Sequence, residues 1–143
     1  MDKELAIVLA MSAGGILGAL GGMGLSFPSK WLRRFVLPLI WGGIALLSGF
    51  LWWKVLCYCV GTIVALCLPY GEKTPYWGKF LTGCAFIAPT AILGWTSWQI
   101  ITPLAFIALF KFSNMEWTQN VVVWKVAEFI TFAFVGLTMV MAL

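Results

Sequence analysis

Histidine is absent from this chain, and charge is scarce: 10% of its 143 residues are Asp, Glu, Lys or Arg. Without imidazole, the common His-containing zinc sets and any Ser-His or Cys-His nucleophile pair are excluded. A soluble domain carries roughly 25% charged residues, so a water-soluble fold this poor in charge would leave its own surface uncovered. Also lacking is C-x-x-C spacing. Cys57, Cys59, Cys67 and Cys84 all fall inside apolar runs, where free cysteine behaves as a small hydrophobe. They are expected to be packing residues rather than a disulfide or zinc framework. The apolar segments hold no paired catalytic carboxylates and no Ser/His set, so neither an enzyme activity nor a cofactor or metal is expected.

What is present is apolar and aromatic. Hydrophobic residues make up 62% of the chain, with nine tryptophans and eleven phenylalanines, and the mean hydropathy is +1.00. Amphipathic rings collect where bilayer meets water. The expected fold class is all-α: an integral membrane helical bundle forming one transmembrane domain over residues 1–143.

Six short transmembrane helices are expected, near residues 5–24, 35–52, 55–70, 80–93, 98–112 and 121–142. The first run resembles a signal peptide in position, but its start is not clearly basic and its apolar part is long, so a retained span is expected. Phe27-Pro28-Ser29 ends it, because the residue before proline is pushed out of the helical region. Gly49 is the expected stop of the second helix, with Trp52, Trp53 and Lys54 at a hairpin tip. Phe80 to Phe110 is free of charge; as one helix it would be about 46 Å long, against a hydrocarbon core of about 30 Å. A turn is therefore placed at Thr96, Ser97 and Gln99. Pro38 sits harmlessly near a helix start, whereas Pro89 and Pro103 are expected to kink their spans.

An offset of 45 residues aligns Trp31 with Tyr76, Arg34 with Lys79, Phe35 with Phe80, Gly49 with Gly94 and Trp53 with Trp98. Read as duplication, this gives two copies of one helical hairpin. The alternative is that any hairpin in a membrane opens on a basic interface and turns at Gly and Trp.

The net charge is +4, but the basic residues are strung along short loops, which argues for orientation in a membrane and against nucleic acid as a partner. Six alternating spans place Lys30, Arg33, Arg34, Lys73, Lys79 and Lys111 on one side, and Lys3 and Lys54 on the other. The positive-inside rule then makes the first side cytoplasmic. Lys30, Trp31, Arg33 and Arg34, like Trp52, Trp53 and Lys54, are the expected contacts with the membrane interface, the arginines meeting lipid headgroups.

Two constellations stand out. Gly14, Gly18 and Gly22 form overlapping G-x-x-x-G steps, a stripe that lets helix backbones approach closely in lipid; it is expected to pack against a neighbouring span or a second copy of the chain. In the last apolar segment, Lys125 and Glu128 stand three residues apart, on one helix face, and can pair. Thr131 and Thr138 continue along that face. An ionisable pair within an apolar span marks an ion pathway by default. The bland reading is that Lys125 snorkels to the headgroups and merely neutralises Glu128.

Lys30-Trp31-Leu32-Arg33-Arg34-Phe35, followed by Val36-Leu37-Pro38-Leu39, resembles small uncharacterised multi-span membrane proteins of bacteriophages and their bacterial hosts. The likeness covers mainly Lys30 to Gly71. It implies a bacterial cytoplasmic membrane and no particular activity. Holins, another small phage class, differ in having a charged tail where this sequence reads Met-Ala-Leu. The first expectation for function is a small oligomeric channel or pore-forming protein, with the glycine stripe joining copies and the Lys125–Glu128 helix lining the centre. The second is a non-catalytic scaffold or accessory subunit that binds another membrane protein.

Overall fold

A computed structural model describes residues 2–20, 31–67, 76–94, 99, 101 and 121–142. Among them all regular structure is helical, with no strand, and the helices form a bundle. Gly22, Lys30, Lys73, Pro103 and Lys111 lie outside the described residues, as does all of the expected span at 98–112 except Gln99 and Ile101.

Helix α1 covers Lys3–Leu20. The Ala6 N–H donates to the Asp2 carbonyl at 2.9 Å, and Glu4 in the first turn lies at the positive end of the helix dipole. A π-helical turn, Leu32–Val36, then leads without a break into α2, Leu37–Leu47. In that turn the Leu37 N–H reaches back five residues to the Leu32 carbonyl. Pro38 explains the widening. It has no N–H for the carbonyl of Arg34, and its ring crowds that carbonyl in a normal helix. Pro38 is thus not at a free helix start: the helical backbone continues on its N-terminal side.

Gly49 ends α2 as the sequence predicts. Its φ of +100° suits a residue without Cβ. The Gly49 N–H donates to the Leu46 carbonyl at 3.2 Å and the Phe50 N–H to the Ala45 carbonyl at 3.2 Å, the paired bonds of a Schellman stop. The turn is tighter than expected. Helix α3 begins at Trp52 and runs to Cys67, so Trp52, Trp53 and Lys54 belong to its first turn.

Helix α4, Tyr76–Leu93, continues through Pro89. The proline ring is received by Gly61 of α3, where an added Cβ would lie 3.0 Å from Pro89 Cγ. Helix α5 covers Val121–Met141.

The main seam joins α1 to α5, and the two run antiparallel: Ala10 meets Gly136, Gly14 meets Phe132 and Ala19 meets Lys125. Helix α2 packs on α1, α3 on α2, α4 on α3, and the end of α4 meets α5 where Gly94 approaches Ala142. Trp41, Tyr58, Phe132, Leu37 and Met139 fill the centre. Chain direction puts Arg33, Arg34 and Lys125 at one end of the bundle, and Lys3 and Lys54 at the other. Among the described residues, α1 is the helix long and apolar enough to cross a membrane by itself, at 18 residues; α3 is apolar but shorter.

Candidate functional site

The site lies where the π turn, the second half of α1 and the first half of α5 meet. Glu128 is 4% exposed. Its partner is not Lys125, as the spacing suggested, but Arg33: Arg33 Nη1 stands 3.5 Å from Glu128 Oε2, with both side chains largely buried. A short charge-assisted bond would be about 2.7–2.9 Å, so this contact is held more by Coulomb attraction than by hydrogen-bond geometry. The Arg33 guanidinium also lies over the Phe132 ring, 5.5 Å from its centroid, within cation–π range. Lys125 turns elsewhere. Its Nζ donates to the Ala19 carbonyl at 3.3 Å, at the C-terminal end of α1, where a cation suits the helix dipole.

The π turn positions Arg33. A turn closed over five residues rotates successive side chains differently from an α-helix, and here Arg33 points inward towards α5. Helices α1 and α3 both pack against this turn.

Thr131 and Thr138, expected to extend a polar path, spend their hydroxyls inside α5. Thr131 Oγ1 donates to the Ala127 carbonyl at 2.8 Å and Thr138 Oγ1 to the Val135 carbonyl at 2.7 Å. Both residues are buried.

The glycine stripe is used within the chain. An added Cβ on Gly18 would lie 2.5 Å from Phe132 Cβ, one on Gly15 would lie 2.6 Å from the Phe129 ring, and one on Gly14 would strike the Phe132 carbonyl oxygen. Gly14 and Gly18 are therefore a groove for α5: of the two expected neighbours, a span of the same chain and a second copy, the first covers them.

Three residues that matter here were not singled out from the sequence. Trp41 of α2, fully buried, donates its indole N–H to the Ala10 carbonyl of α1 at 3.0 Å. Gly136 of α5 makes room, since a Cβ there would lie 2.5 Å from the Ala10 oxygen and 3.2 Å from Trp41 Nε1. Phe132 fills the groove and carries Arg33 on its face. The available signal was chemical rather than periodic: a buried indole needs an acceptor, and a buried carboxylate needs a cation.

At the interface positions, Trp31 is 44% exposed and stacks on Phe35 with centroids 4.5 Å apart. Trp52 is 70% exposed, and Lys54 Nζ lies 5.7 Å from the Trp53 ring centroid. The four cysteines are free thiols; Cys57 and Cys67 face outward rather than packing in the core. Among the described residues no cluster of Cys, Asp and Glu is arranged to hold a metal ion.

No protein-family model, no curated protein and no solved structure matches this chain.

Proposed function

We propose that the protein is a small multi-span membrane protein that acts without catalysis, as a scaffold or accessory subunit for another membrane protein. The observation that carries this reading is the burial of Glu128 against Arg33. The charge that would have served an ion pathway is neutralised inside the bundle, and the neighbouring threonine hydroxyls are turned onto their own helix. The outer faces are apolar instead. Trp52, Leu56, Val60 and Val64 repeat every four residues along α3, each at least 55% exposed, and Leu5, Val8 and Ile16 on α1 are 50%, 59% and 53% exposed. Such faces suit lipid or a partner helix and not water. Helix α1, at 18 residues, is long and apolar enough to cross a membrane. The glycine groove being filled from within, a different membrane protein fits better than a second copy of the chain.

The wider architecture belongs to the same reading. Six spans place the arginine end in the cytoplasm of a bacterial cell.

A channel is the second reading. Tyr58 and Thr62, one turn apart on the buried face of α3, bring two hydroxyls together in the core, with no further hydrogen-bond partner, as residues beside a polar path would. Purified protein in liposomes separates the two. The scaffold reading expects no ion or solute flux, with Glu128→Gln lowering stability alone. A flux that Glu128→Gln alters while the protein remains folded would replace the scaffold with a channel.

A further inference from the structure

Arg33 and Arg34 are neighbours in one π turn, and the turn decides which of them faces Glu128. On α-helical spacing the inward arginine would be Arg34. Three, four and seven residues on from it stand Leu37, Pro38 and Trp41, all buried. Arg33, counted the same way at three and seven, lines up with Val36 and Ile40, each 37% exposed. Yet it is Arg33 that meets Glu128 Oε2 at 3.5 Å and lies over the Phe132 ring.

The five-residue closure accounts for the exchange. The Leu37 N–H reaches the Leu32 carbonyl, whereas in an α-helix it would reach that of Arg33. One extra residue is wound into the turn, and the chain on its N-terminal side sits one place back. Closing the turn to α-helical spacing gives Arg33 the place of Leu32 and Arg34 the place of Arg33. It also carries Trp31 about 100° round the axis, one residue's rotation at 3.6 residues per turn.

Both sides of the turn suit such a change. Beyond it, α2 is held by the Trp41 indole N–H on the Ala10 carbonyl at 3.0 Å and by the Cys59 thiol, which donates to the Pro38 carbonyl at 3.6 Å. Within it, consecutive arginines let Glu128, 4% exposed, face a guanidinium in either register, so the exchange does not break up a buried ion pair. Pro38 sets the resting register, because it offers the Arg34 carbonyl no N–H and its ring crowds that carbonyl in an α-helical turn.

We propose that the π turn is a register joint: closing it to an α-helical turn withdraws Arg33 from Glu128, presents Arg34 in its place and rotates Trp31, while α2 stays put. The exchange goes beyond the scaffold reading and does not rest on it.

The test uses the full chain in non-ionic detergent and reads melting temperature. With Pro38 present, Arg33→Gln lowers it by about 10 °C and Arg34→Gln by less than half as much. Pro38→Ala supplies the missing N–H and settles the turn in the α register. In that background the order reverses: Arg34→Gln becomes the costly change and Arg33→Gln the mild one. Adding Glu128→Gln shows the cause, since the loss is non-additive with Arg33→Gln in the first background and with Arg34→Gln in the second. Should Pro38→Ala fail to fold, one alanine inserted between Phe35 and Val36 reads the same exchange. It keeps Pro38 and the five-residue closure but moves Arg34 into the place of Arg33, and the same reversal is expected. Arg33→Gln remaining the costlier change in the altered background overturns the proposal, as does a reversal that persists undiminished once Glu128 is replaced.

Discussion

A carboxylate and a guanidinium buried together contribute little net stability, but removing one of them strands the other. Arg33→Gln and Glu128→Gln are each expected to cost about 3–5 kcal/mol, read as loss of thermal stability in detergent. The double replacement Arg33→Met with Glu128→Leu is expected to recover most of that loss. If the double variant falls by the sum of the single losses, the two residues do not act as a pair. Trp41→Phe keeps the ring and loses the bond to the Ala10 carbonyl, for a loss of about 1 kcal/mol in the same measurement. At this scale the sequence located Glu128 and misassigned its partner. The reason is distance along the chain: Lys125 is three residues away and visible to helical spacing, whereas Arg33 is 95 residues away, and only the folded bundle brings it close.

Between elements, the seam of α1 and α5 depends on missing side chains. Two glycine substitutions make the point. Gly136→Ala places a methyl 2.5 Å from the Ala10 oxygen, a backbone atom that cannot swing aside, so the helices must separate and Trp41 loses its acceptor. Gly43 on α2 has nothing within 4 Å of the same methyl, and Gly43→Ala gains helix propensity worth about 1 kcal/mol. The expected outcome is opposite signs for chemically identical changes: a lower melting temperature for Gly136→Ala, and an unchanged or higher one for Gly43→Ala. The close-packing role of Gly14 and Gly18 was legible from their four-residue spacing. What covers them was not, because a stripe of small residues specifies a smooth surface and no partner. The stop at Gly49 was equally legible from residue type. The π turn was not: Pro38 reads as a tolerable helix start unless one knows that the helix extends behind it.

For the whole molecule, helical class was legible in composition: on the membrane reading, a chain so short of charge has few other ways to satisfy its backbone. The separation of charge by end yields a topology prediction. With the native cysteines replaced, single cysteines at Lys3 and Lys54 are expected to react with an impermeant maleimide from one face of a sealed membrane, and one at Trp31 from the opposite face. Labelling of all three from one side would overturn the membrane-spanning reading. The antiparallel seam also has a temporal consequence. Ala19 and Lys125 are 106 positions apart, so the main seam among the described residues joins helices far apart along the chain. Loop closure over that distance must precede any stabilisation it brings. Until α5 emerges, the groove on α1 lacks the helix that fills it and Arg33 lacks its carboxylate. Synthesis of α5 is therefore what allows this seam to close.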